Sequence, residues 1–116
     1  MVYPNPEDAQ GEIAFKLPQT STKNLAMLKV LKYEIEISDY FEIEMPNGAQ
    51  ILKAECQHNR PYLWVLADLE NLPVKRTFRF AGTGHPIKHQ KNELKFISTF
   101  QMDKGNLIFH IFEVVI

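Results

Sequence analysis

The chain has 116 residues, 45% of them apolar and 23% charged, enough for one domain with its own core. Thirteen Lys and Arg against fourteen Asp and Glu give a formal charge of -1, which excludes the strong positive field of a duplex binder and an acidic nucleic-acid mimic alike. Cys56 is the single cysteine, so an intrachain disulfide is excluded, and no run approaches the ~20 apolar residues of a membrane helix. An intracellular protein without membrane association is expected.

Residues 1–26 hold Pro4, Pro6 and Pro18, a polar run at 19–24, and one short alternation of Ile13, Phe15 and Leu17. They are expected to form an N-terminal arm, partly ordered or exchanged as a strand between subunits, ahead of a single β domain at 27–116. A homo-oligomer would follow from such an exchange.

From residue 28 the period is two. Leu31, Tyr33, Ile35 and Ile37 alternate with Lys32, Glu34 and Glu36, as in a strand with one wet face. Ser38-Asp39 reads as a turn into a second strand with Phe41, Ile43 and Met45 inward, and the two are expected to pair as a hairpin. That pairing would set Glu34 and Glu36 beside Glu42 and Glu44 on a solvated face. Pro46-Asn47-Gly48 is a β-turn sequence in which glycine takes positive φ.

The next strand, 50–57, should place Leu52, Ala54 and Cys56 inward. Residues 62–67 are apolar on both faces, so a strand covered on each side is expected, with Trp64 at the centre of the core. In 74–81, Phe78 and Phe80 read as inward, with Lys75, Thr77 and Arg79 on a basic outer face. A hydrophilic excursion at 88–93 precedes two further strands joined by a turn at 103–106. Seven short strands without a sustained helical period predict an all-β fold, a small antiparallel sandwich or partly open barrel.

Chemistry-bearing residues concentrate where the strand at 74–81 meets Gly82-Thr83-Gly84-His85-Pro86. Two glycines permit close approach of a ligand, a hydroxyl and an imidazole can hydrogen-bond, and Arg76 and Arg79 lie just upstream. The spacing matches neither a P-loop nor a dinucleotide fingerprint. Two readings stay open: a sheet corner stiffened by Pro86, and a ligand or partner contact made by Arg76, Arg79, Gly82, Thr83, Gly84 and His85. On the second reading, Arg79 and His85 are surface contacts removable without loss of stability.

No catalytic motif of known spacing is present, and no cofactor or metal is expected. His85 and His89 share a side only if 86–88 are helical, and no further ligand cluster follows them. A hydrolase would need His85 within reach of Asp68 or Glu70. Cys56 reads as a small inward hydrophobe. Phe78 and Phe80, facing the core, are unavailable for base stacking, so nucleic acid is not expected as a partner.

Residues 28–115 carry Tyr33-Glu34-Ile35, Met45-Pro46-Asn47-Gly48-Ala49, Leu63-Trp64, Arg76-x-Phe78, Gly82-Thr83-Gly84-His85-Pro86-Ile87 and Phe109-His110-Ile111-Phe112-Glu113. In these the chain resembles a family of small β domains encoded mainly by phages and prophages, with the glycine–histidine–proline run the most specific part. The resemblance supplies no catalytic residues. It implies an accessory protein of the bacterial host cytoplasm that binds a host protein, including one of the host's defences. The residues themselves keep open an oligomeric binder of an anionic small molecule or signalling nucleotide.

Overall fold

The computed structural model describes residues 26–116. The arm expected at 1–26 lies outside them but for Ala26, and with it the alternation at 13–17. Seven strands follow: β1 (Leu28–Glu34), β2 (Tyr40–Pro46), β3 (Gln50–Gln57), β4 (Arg60–Asp68), β5 (Pro73–Gly82), β6 (Leu94–Met102) and β7 (Leu107–Val114), with one 3-10 turn at Lys91–Glu93 before β6. They form two antiparallel sheets in the order β1-β4-β3 and β2-β5-β7-β6, packed face to face as a sandwich. The all-β expectation holds.

Period-two patterning explains why each strand buries one side. In β2, Phe41, Ile43 and Met45 are buried while the glutamates between them stay wet; in β4, Leu63, Val65 and Ala67 are buried. Phe78 lies between the sheets stacked on Phe41 at 5.0 Å between ring centroids, and Phe80 packs against Phe41, Phe100 and Phe109. Each fully buried side chain of this size contributes about 1.5–3 kcal/mol, so this aromatic cluster is the main cohesive element.

The expected hairpin of the first two strands does not form. β1 pairs with β4 from Leu28↔Asp68 to Glu34↔Tyr62, and β2 pairs with β5 in the other sheet. Beyond β1 the Ile35 N–H still donates to the Pro61 carbonyl at 2.9 Å, and Ile35 is 2% exposed. The chain plugs the core with Ile35 and crosses to the opposite sheet instead of turning in plane, which leaves Ile37 58% exposed rather than inward. Glu34 faces Arg60 across 2.9 Å, so the supposed glutamate face is divided between two sheets.

Two bulges and two tight turns set the register. A bulge between Ile51 and Lys53 puts Ile51 and Ala54 on the core side and turns Leu52 outward, contrary to the simple alternation. A second, between Phe96 and Ser98, lies across the seam, where the Ala54 N–H donates to Ser98 Oγ at 2.9 Å. Cys56 points inward as expected and is half-buried against the core. The β3–β4 turn has His58 and Asn59 both at positive φ, 55° and 59°, the twist a two-residue hairpin requires. The Asn59 side chain accepts from the Asp103 N–H at 2.8 Å and ties this tip to the β6–β7 turn.

Trp64 is not the core centre. Leu63 and Val65 face the other sheet, so Trp64 stands on the outer face with Tyr62 and Leu66 and is only half-buried. Burial also raises the Tyr33 phenol above its ordinary value near 10, because the phenolate would lose hydration.

Candidate functional site

Arg76 and Arg79 stand three residues apart on β5 and therefore point to opposite faces of the sheet. Arg76 shares the inward side with Phe78 and Phe80. Its Nε and Nη2 donate to the two carboxylate oxygens of Glu113 at 2.7 and 2.8 Å, and Nη1 donates to the Ala49 carbonyl at 2.6 Å. This fork-on-fork ion pair bridges β5 and β7 and reaches the β2–β3 turn of the sandwich. Hydrogen bonding to Glu113 raises the Arg76 guanidinium above its ordinary value; burial opposes the shift and Coulomb attraction to Glu113 adds to it. Arg76 is thus a core ion pair, separate from the glycine loop.

Arg79 points outward, yet it is 6% exposed rather than part of a solvated basic face. The cause is the segment after β5, which folds back over the outer face of the four-stranded sheet. Arg79 Nη1 donates to the carbonyls of Phe80 and Asp39 at 2.5 and 3.2 Å, and Nη2 donates to the Pro86 carbonyl at 2.9 Å. The Tyr40 ring lies 5.4 Å from the guanidinium carbon and completes the enclosure. A planar fork with five donors suits several carbonyls at once, which a lysine cannot match.

The glycine loop itself is a turn. The His85 N–H donates to the Gly82 carbonyl at 3.1 Å, and Gly84 has φ +90°, as the third residue of a type II turn requires. The His85 ring lies over Gly82, where an added Cβ would approach its Cε1 to 3.0 Å. Thr83 Oγ1 meets His110 Nε2 at 2.7 Å, and Thr99 Oγ1 meets His110 Nδ1 at 2.8 Å, so one imidazole joins the loop to β6 and β7. Nothing lies within 4 Å of a Cβ built on Gly84. Gly84→Ala is therefore expected to cost about 1 kcal/mol through backbone strain alone, read as a lower urea midpoint at unchanged slope.

Further along, His89 Nδ1 lies 3.3 Å from Glu93 Oε1 and Nε2 lies 2.7 Å from the Tyr40 hydroxyl. These two contacts hold the imidazole between the 3-10 turn and the first residue of β2. The chain from Thr83 to Glu93 is thus pinned to the sheet at His110, Arg79 and Tyr40. Between these pins a shallow hollow is lined by Asp39, Tyr40, Arg79, His85, Pro86 and Lys88.

Of the six residues singled out from sequence, the fold groups Arg79 and Gly82 at the end of β5 with Thr83, Gly84 and His85 of the turn that follows, and removes Arg76 to the interior. His85 and His89 serve different partners, and Asp68 accepts from the N–H groups of Met27 and Glu70 at the end of β4, with no hydrogen bond from His85 to Asp68 or Glu70 among the described residues. Tyr40, His110 and Thr99 were not legible as site residues, since their partners are distant in sequence. His89 and Glu93, four residues apart, are the one pair that local spacing could have joined. Among the described residues no group of His, Cys, Asp and Glu suits a metal ion, and no helix is long and apolar enough to cross a membrane.

No curated protein and no solved structure matches this chain. Residues 27–115, nearly all of the sandwich and its loop, match the family described as a domain of unknown function, DUF7352, and the chain belongs to that family.

Proposed function

We propose that this protein is a non-enzymatic binding module that docks a protein partner on the pinned loop 83–90 and the adjoining Asp39 and Tyr40. The observation that carries the reading is the commitment of Arg79. By holding the carbonyls of Asp39, Phe80 and Pro86, it fixes the loop from beneath while His85, Lys88, Asp39 and Tyr40 remain exposed. A surface ordered before contact loses little conformational entropy on binding. The resemblance to phage and prophage domains makes a host protein, including a component of host defence, the partner class proposed.

Capture of an anionic metabolite or nucleotide is the second reading, and the geometry favours it less. The buried guanidinium directs donors at carbonyls rather than into the hollow, and the Asp39 side chain, 84% exposed, brings a carboxylate to the rim. The test compares wild type with His85→Ala and Lys88→Glu, using a partner first recovered from bacterial lysate and then purified. Binding is expected to weaken at least tenfold in each variant, about 1.4 kcal/mol, at unchanged melting temperature. Equal affinity for wild type and both variants would rule out this surface, and thermal stabilisation by a nucleotide would move the assignment to the second reading.

A further inference from the structure

The two outer faces of the sandwich are treated differently. The four-stranded sheet carries its own cover, the segment from Thr83 to Glu93, pinned at Arg79 and Tyr40. Among the described residues nothing comparable lies over β1, β4 and β3. On that second face stand Leu28 and Val30 from β1, Trp64 and Leu66 from β4, and Leu52, which the β3 bulge turns outward. Leu28, Val30 and Leu52 are 57%, 58% and 45% exposed. A hollow lined by Val30, Leu52 and Trp64 together with Lys53, Glu55, Cys56 and Gln57 runs between them. Several exposed apolar side chains gathered on one sheet face, with polar groups beside them, mark an interface.

The charges on this face, with Lys32 and Lys53 standing in register on either side of Trp64, indicate what fits. Lys53 pairs with Glu55, and Arg60 Nη1 pairs with Glu34 Oε2 at 2.9 Å. Lys32 Nζ lies 4.2 Å from the Tyr62 ring centroid and donates to Gln57 Oε1 at 2.6 Å. Lys32, Lys53 and Arg60 stand against Glu34, Glu55 and Asp68, so the face has no net formal charge and its charges are neutralised locally. A strongly charged partner gains nothing from such a surface, whereas an identical one meets no net like-charge repulsion.

We infer that this face is a homodimer interface, covered in solution by the β1-β4-β3 face of a second copy about a two-fold axis, with Val30, Leu52 and Trp64 at its centre. Three strands ~4.8 Å apart and about eight residues long span roughly 400 Å² in projection, so two such faces with their side-chain relief reach the roughly 1,000 Å² of a specific interface. The contact is isologous and closes on itself, leaving the loop 83–90 of each copy outward.

The test is the mass of the full chain in solution by light scattering across a wide concentration range, with Trp64 fluorescence recorded in parallel. Wild type is expected at twice the chain mass. Val30→Glu, on an exposed side chain, should halve that mass and shift Trp64 emission to longer wavelength with the far-ultraviolet spectrum unchanged; Leu52→Lys on β3 repeats the test should the first variant fold poorly. A wild-type mass of one chain at every concentration overturns the inference, including the case in which residues 1–25 of the same chain shield Trp64. A dimer that survives both substitutions with unchanged emission overturns it too.

Discussion

Replacing Arg76 with methionine is expected to lower the unfolding free energy by about 3 kcal/mol, because it leaves the Glu113 carboxylate buried without its partner. The side chains are 21% and 10% exposed, which places the loss at the lower end of what a fully buried pair shows. The Ala49 carbonyl loses its donor in the same step. Combining Arg76→Met with Glu113→Met should restore most of the stability, since the attraction within a buried pair is largely offset by desolvation of both charges. The measurement is urea unfolding at neutral pH for both single variants and the pair. A single variant within ~1 kcal/mol of wild type, or a double variant no better than the worse single, contradicts this role. The sign of the Arg76 shift fixes the pH dependence. A cation whose folded value is raised contributes fully below its ordinary value, and that contribution is lost only as pH rises past it, far above neutrality.

Arg79→Lys should prove nearly as costly despite keeping the charge. An ammonium is a compact donor on a flexible stem and cannot hold the Phe80, Asp39 and Pro86 carbonyls together, so about 2–3 kcal/mol is expected to go with the lost charge-assisted bonds. The loop should open at the same time, seen as faster amide exchange at His85, whose N–H bonds the Gly82 carbonyl. Partner binding should then fall together with stability, whereas His85→Ala lowers binding alone. A melting temperature unchanged by Arg79→Lys would return this residue to the role of a surface contact.

Strand positions were legible because alternation is local. Phe41, Ile43, Met45, Phe78 and Phe80 face the core as their period requires, and the Pro46-Asn47-Gly48 turn forms with Gly48 at φ +81°. Pairing was less legible, since Ser38-Asp39 reads equally well as an in-plane turn or as a crossing, and only the burial of Ile35 against the other sheet decides. Leu52 was misplaced because a bulge shifts register without a glycine to announce it. Trp64 was misplaced because an apolar run on both sides of a strand does not say which side is covered.

The site divided along the same line. The turn at Gly82 to His85 is written in its glycines, but the burial of Arg79 depends on a loop returning over the sheet, and that of Arg76 on a glutamate 37 residues away. The period of the strand puts the two arginines on opposite faces, which a shared contact for Arg76 and Arg79 left out of account. It carried no sign of the carbonyls and the carboxylate that bury each of them.

The strand order has a kinetic consequence. β1 finds its only described neighbour in β4 and β2 finds its own in β5, each after two intervening strands, whereas β3–β4 and β6–β7 close across short turns. Loop-closure entropy weighs most on the distant pairings and least on the two hairpins, whose tips are already joined by Asn59 and Asp103. The hairpins are the natural nucleus, and β1 and β2 are the last strands to be zipped on.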